Sequence, residues 1–355
     1  MKILHAVLSQ GFYGSERYCA ELAAEQARSG HDVEVLIHDA WSDCAREMRK
    51  VVAQANPVGA GTLALAAIPR WMPPALHRPM ARRALRRFRP DVVHTHLNPA
   101  ARRVGREARR LGIPHVATLH IAYEAREHAD ADGLVCVGGW QYAMLGGFGG
   151  ESAIVHNWLP RAVSEALGAA TRPQIDALRE RCGAGGDTFV FGSVGRLLPE
   201  KGMDALVRAF RAAFPQDAGV RLAIVGDGPQ AGDLAQLAGG DPRIVLAGAQ
   251  DNVAPWYLAF DAFVSAARFE PFGLAILEAM AAECPLVLTR TEGPNEFVQD
   301  KRALWAEPGD DAALAAQLIE ARGRGFQRYR YDLKNFTAER AARAIEALYR
   351  RVTAG

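Results

Sequence analysis

Short apolar runs alternate with helical periodicity along this chain, and that alternation restricts its fold more than any other feature. "KILHAVLS", "DVEVLIH", "DVVHTHL", "HVATLH", "GLVCVG" and "AIVHN" have the length and composition of buried parallel strands. Between them lie helical segments such as "SERYCAELAAEQARSG", whose closing Gly30 suits a C-terminal cap. A β-α-β-α rhythm implies a doubly wound parallel sheet. The rhythm pauses between Leu159 and Asp187, a polar stretch with a helix-like middle. It restarts with "FVFGSVG", "RLAIVGDG", "RIVLAG", "AFVSAA" and "PLVLT". Two Rossmann-like α/β halves in tandem are therefore expected, which 355 residues accommodate. The expected boundaries are 1–158 for the first domain, 159–187 for a linker region and 188–335 for the second domain. A final helical segment, 336–355, contains "TAERAARAIEALYRRV" and is expected to cross back to the first domain.

The formal net charge is +2, which does not point to nucleic acid. The arginines are nevertheless crowded, in "RPMARRALRRFR" and "RRVGREARR". Five cysteines with no CxxC read as buried thiols of a reducing compartment; a disulfide framework or zinc site is not expected. "MKILHAVLS" runs directly into further pattern and reads as a first strand, not a signal peptide. Val58 to Trp71 is too short to span a bilayer. A cytoplasmic protein is expected.

In an open parallel sheet, ligands bind beyond the carboxyl ends of the strands. After "FVFGSVG" come Arg196 and Lys201, in "GRLLPEKGMDALVRAF". Two cations beside a helix start suit a phosphate pair, although a surface loop with an ordinary ion pair reads equally well. "DGPQ" after "RLAIVG" lets backbone approach a ligand, and is also an ordinary strand-to-helix turn. The first strand is not followed by a complete G-x-G-x-x-G, which argues against a standard dinucleotide enzyme. After "AFVSAA" comes "RFEPFGLAILEAMAAECPLV". Pro271 keeps Glu270 extended at the strand end. Gly273 and Leu274 offer amide N–H groups where the next helix starts, an anion site. Glu278 lies further in, among apolar neighbours, and a carboxylate in that setting needs partners. It could accept from the two hydroxyls of a ribose, and Glu270 from those of a sugar.

Taken together, "GRLLPEKGMDALVRAF", "IVGDGP", "EPFGLAILEAM" and "EGPNEFV" resemble the C-terminal domain of glycosyltransferase family 4, retaining enzymes of GT-B fold. The signature is a glutamate, seven residues and a second glutamate, and the likeness extends over nearly the whole chain. It implies two doubly wound domains facing across an interdomain cleft, the first binding acceptor and the second a nucleotide-sugar donor. It further implies that Arg196, Lys201, Gly14, Gly273 and Leu274 hold the donor diphosphate and that Glu278 holds the ribose. His120, ending "HVATLH", and Glu270 would be the catalytic pair, both against the transferred sugar. A leaving nucleoside diphosphate could then be stabilised without metal, by cations and a helix N-terminus. Two departures stand out. In "GFYGSERY", Tyr13 replaces one of two adjacent glycines, where its ring could narrow the donor site or stack on the acceptor. In "TEGPNE", Glu292 takes a glycine's place, which leaves the role of Glu296 open.

"DAD" at Asp130 to Asp132 reads as a turn before a strand more readily than as a metal site. "HTH" places His94 and His96 at a strand end, as acceptor contacts or plain structure; no metal is expected. In "MARRALRRF", Met80, Ala84, Leu85 and Phe88 fall near helical spacing with Arg82, Arg83, Arg86 and Arg87 between them. Such a helix, with Trp71 and Met72 upstream, can lie on an anionic inner-membrane surface, bind a phosphorylated acceptor or be a solvated face. The function expected is retaining transfer of a hexose from a UDP- or GDP-sugar to a glycan or lipid-linked acceptor of the cell envelope, with no cofactor. The alternatives are a non-catalytic scaffold that binds sugar nucleotide or glycan, and a GT-B nucleotide-sugar epimerase. Base recognition is expected from backbone near Leu246 to Asn252.

Overall fold

The computed structural model describes residues 1–9, 11–38, 42–55, 61–69 and 74–354. Trp71 and Met72 lie outside them. The chain divides into two units, Met1–Trp158 with Asn335–Gly355, and Leu159–Lys334.

Seven strands form the first sheet: β1 (Lys2–Val7), β2 (Asp32–His38), β3 (Thr62–Ile68), β4 (Val92–His96), β5 (His115–Leu119), β6 (Gly133–Cys136) and β7 (Glu151–Ile154). They are all parallel, in the order β3-β2-β1-β4-β5-β6-β7. Helices cover both faces, so β1, β4 and β5 are buried almost throughout. The helix Gly14–Arg28 places Cys19, Leu22, Ala23 and Gln26 on one stripe, the spacing of a core-facing helix, and all four are buried. The terminal helix Ala338–Ala354 buries Ala341, Ala342, Ile345, Leu348 and Tyr349. It packs on Gly14–Arg28, β6 and β7, inside the first domain.

The second sheet has β8 (Phe189–Val194), β9 (Val220–Val225), β10 (Ile244–Gly248), β11 (Ala262–Ser265), β12 (Leu286–Thr289) and β13 (Leu304–Ala306). Its order is β10-β9-β8-β11-β12-β13, again all parallel. The segment 159–187 carries two helices, Arg161–Ala169 and Arg172–Arg181, which pack on Ala254–Ala259 of this domain. A capping box starts the second of them, the Thr171 N–H donating to the Gln174 side chain at 2.9 Å. Arg179 anchors it to the Ala259 and Thr188 carbonyls and to Asp261.

Sequence pattern missed two strands, each at a sheet edge. β3 is alanine-rich and half-exposed, so it lacks the β-branched signature of a central strand. β13 has three residues, too few for any period. Of the three readings of the arginine helix, the structure fits the solvated face. Ala81 and Leu85 are fully buried, with Met80, Ala84 and Phe88 packed against the same core. Its apolar face is therefore used within the domain. Arg82 pairs with the buried Glu107, which Arg78 and Arg110 also reach. Arg87 pairs with Glu34. Arg83 and Arg86 are exposed.

Candidate functional site

Each sheet reverses its winding direction once, and crevices at such switch points are where open α/β sheets bind ligands. In the second domain the switch lies between β8 and β11. Arg196 and Lys201 follow β8, and Glu270 to Glu278 follow β11. The two loops are laced together. The N–H groups of Arg268 and Phe269 donate to the Glu200 carbonyl, and the Arg268 guanidinium reaches the Pro199 carbonyl and Asp204. Hydrogen bonds from Arg268 hold the Asp204 carboxyl down at about 2. Gly202 has φ +64°, and a Cβ there would stand 1.9 Å from the Ala266 carbonyl oxygen. Only glycine fits this crossing of the loops.

Across the crevice Lys201 Nζ donates to Glu270 Oε2 at 2.6 Å. Glu270 is thus an ion-pair partner and not a helix cap. The cap of Leu274–Ala281 is Gly273, at φ +103°. Its Cα lies so close to Glu270 that a Cβ would meet Glu270 Cγ at 3.3 Å. The first N–H groups of that helix start beside the pair, with no intrahelical acceptors of their own. One turn further in, Glu278 is 6% exposed and its Oε2 accepts from the Tyr257 hydroxyl at 2.7 Å. The loop after β12 closes the remaining side. A Cβ on Gly293 would stand 2.4 Å from Phe272 Cα, and the Gly293 N–H donates to the Glu270 carbonyl at 3.0 Å. Arg196 is exposed at the rim, and Glu292 is partly buried.

In the first domain the switch lies between β1 and β4. The loop after β1 holds Tyr13 and Gly14. Tyr13 is 53% exposed, and its N–H donates to Glu16, which caps the helix start. Its ring lies over Gly11, where a Cβ would meet Tyr13 Cε2 at 2.3 Å. The register of β1 against β4 sets His5 beside His94, and β4 against β5 sets His96 beside Thr118. His5, His94 and His96 are wholly buried. Neither residue of "HTH" therefore has surface to offer an acceptor. Burial lowers His5 to about 4 and His120 to about 3, and carries His94 and His96 well below the ordinary range. One nitrogen of each of His5, His94 and His96 lies within 4.8 Å of the others, a spacing that could suit a metal. All six of their ring nitrogens are already hydrogen-bonded, to one another, to His120, or to Gln26, Tyr349 and Thr118. A structural network accounts for them. The "DAD" residues are also in use: Asp130 pairs with Arg106 and Arg109, and Asp132 accepts from the His115 N–H.

Two family models match, Glycosyltransferase Family 4 over residues 12–174 and Glycosyl transferases group 1 over residues 188–322. The chain belongs to glycosyltransferase family 4. A lipopolysaccharide core biosynthesis glycosyltransferase of Rhizobium meliloti is 35% identical over 159 residues, 44% of this chain and 45% of that one. A GDP-mannose-dependent alpha-mannosyltransferase of Mycobacterium tuberculosis is 30% identical over 239 residues, 62% of this chain and 61% of that one. The chain thus spans about half to three-fifths of the length of these two relatives. Among solved structures, a Rickettsia africae glycosyltransferase superposes with TM-score 0.79 at 16% identity, covering 99% of this chain and 98% of that one. Anabaena HepE in complex with UDP and glucose gives 0.72 at 19%, covering 99% and 95%. These likenesses fix the fold as GT-B.

Within this family 4 member, several site residues escaped the sequence reading. Tyr257 is 21 positions from Glu278 and carries no motif. Gly293 was legible only as part of a glycine pair. Gln26 did leave a signal, a lone carboxamide on an otherwise apolar helical stripe, and went unremarked.

Proposed function

We propose that this protein is a retaining, metal-independent glycosyltransferase. It moves a hexose from a nucleoside-diphosphate sugar to a glycan or lipid-linked acceptor of the cell envelope. The observation that carries the reading is the crevice between β8 and β11, where Lys201 and Glu270, a helix N-terminus and a buried carboxylate lie side by side. A diphosphate suits the cation and the helix start, and a ribose suits a carboxylate held by Tyr257. On binding, Lys201 would exchange its bond to Glu270 for phosphate, and Glu270 would be released to a sugar hydroxyl. Negative charge on the departing nucleoside diphosphate would be met by Arg196, Lys201 and the Gly273–Leu274 amides. His120 would contact the sugar from the first domain, with Gly14 giving the phosphate room. As the family resemblance implies, the acceptor would attack from the face the nucleotide leaves, and configuration would be kept.

The Rhizobium meliloti relative, named for lipopolysaccharide core biosynthesis, supports an envelope acceptor; the HepE complex supports a UDP-type donor and the GDP-mannose-dependent relative a GDP-type one. Among the described residues no helix is long and apolar enough to cross a membrane. The exposed Arg83 and Arg86 are the cations of that helix best placed to meet an anionic acceptor or an anionic membrane surface. Thermal unfolding against UDP-, GDP-, ADP- and TDP-sugars tests the donor. A ligand at a hundredfold its Kd adds about 2.7 kcal/mol. One nucleotide class should stabilise the native protein and not Glu278→Ala. Stabilisation by none of them would overturn the donor site. Anomeric configuration of the product, read by NMR, tests retention.

A further inference from the structure

Beneath His120 runs a chain of hydrogen bonds with no charged member. His120 Nε2 lies 3.3 Å from His96 Nδ1, His96 Nε2 lies 3.0 Å from His5 Nδ1, and His5 Nε2 lies 2.7 Å from Gln26 Oε1. From the other end of the same carboxamide, Gln26 Nε2 donates to the Tyr349 hydroxyl at 3.4 Å. That hydroxyl is 2.6 Å from His94 Nδ1, and His94 Nε2 is 2.7 Å from Thr118 Oγ1. Burial keeps all four imidazoles neutral, so each carries one N–H.

A neutral imidazole and a hydroxyl can each face either way in such a chain. A carboxamide held in one orientation cannot, because its oxygen only accepts and its nitrogen only donates. Gln26 therefore sets the sense of both arms. With Oε1 toward His5, His5 must donate from Nε2 and accept at Nδ1. His96 must then donate from Nε2, and so must His120. On the other arm the Tyr349 hydroxyl donates to His94 Nδ1, which leaves the His94 proton on Nε2 for Thr118. We propose that Gln26 is a positioning residue that fixes His120 as its Nε2–H tautomer, leaving Nδ1 as a lone pair that accepts from a ligand hydroxyl. The opposite amide orientation would place every one of the four protons on Nδ1 and turn His120 into a donor. This inference rests on the proposed contact between His120 and the transferred sugar. Its core claim concerns a proton position that can be read without turnover.

Long-range proton–nitrogen NMR of the histidine-labelled full chain distinguishes the two tautomers directly. His5, His94, His96 and His120 should all appear as Nε2–H. In Gln26→Leu, which is close in volume and makes no hydrogen bond, the Nε2–H preference of His5, His96 and His120 should weaken. With sugar donor and acceptor, kcat/KM should fall about tenfold while nucleotide affinity is unchanged. An Nδ1–H proton on His120 in the native protein overturns the assignment, whether or not the variant folds. A His120 tautomer unaltered in folded Gln26→Leu overturns the role of Gln26. Correct tautomers with no sugar transfer would leave this assignment standing and sink the enzymatic reading instead.

Discussion

Acidification to about pH 5 should destabilise the first domain selectively. All ten histidines of the chain lie between His5 and His156, and the second domain has none. Four of them, His5, His94, His96 and His115, are wholly buried, and the first three stay neutral in the fold well below the value of about 6.5 that they regain when unfolded. Below pH ~6.5 the unfolded chain therefore binds protons that the folded chain does not, and stability falls as pH falls. Each such histidine costs about 1.4 kcal/mol per pH unit, or about 2 kcal/mol at pH 5. The three together cost about 6 kcal/mol, a large part of the roughly 5–15 kcal/mol that holds an ordinary domain. For a domain of this size that is a fall in Tm of roughly 10–20 °C. In the same domain Glu107, which burial raises but Arg82 and Arg110 bring down overall, contributes stability that is lost only below the unfolded carboxylate range near 4. Scanning calorimetry between about pH 7.5 and 5 should show one transition moving down and one staying, with histidine NMR titrations assigning the first. If the histidine-bearing domain melts no earlier at pH 5 than at pH 7.5, or His5 titrates near 6.5, the reasoning fails.

If Lys201 meets the leaving diphosphate as proposed, Lys201→Met should lower turnover roughly 10²–10³-fold; steady-state kinetics with a matched donor check this, and near-native turnover would reject the assignment. Tyr257→Phe leaves the buried Glu278 oxygen without its hydroxyl donor and should cost about 1–3 kcal/mol in denaturant unfolding, together with weaker nucleotide-sugar binding. Gly293→Ala should displace the Pro271–Phe272 backbone and depress activity more than stability; a fully active Gly293→Ala enzyme would show that this packing is not needed. Dialysis against a chelator should leave transfer unchanged, and loss of activity restored by a divalent cation would overturn the metal-independent scheme.

The doubly wound halves were legible because a buried parallel strand is a local event, a few apolar residues bounded by turn formers. The crevice between β8 and β11 was legible for a related reason. Glu270, Gly273 and Glu278 are neighbours in the chain, so one helix start carries most of the chemistry. What pattern could not reach is whatever depends on which strands become neighbours. The sheet order sets β8 beside β11 and β11 beside β12, and that order brings Lys201 to Glu270 and Gly293 to Phe272, while Tyr257 reaches Glu278 between the two helices on either side of β11. "HTH" read as acceptor contacts or plain structure at a strand end. The fold makes it the interior of a proton-ordered chain, because β1 supplies His5 and the terminal helix supplies Tyr349, 255 positions from His94. The arginine helix shows the same limit: its amphipathic spacing was correct, but spacing cannot say whether an apolar stripe faces a lipid surface or its own core. Residue types and their local periods determined the elements and the chemistry available to them. Long-range strand pairing decided which of those groups meet.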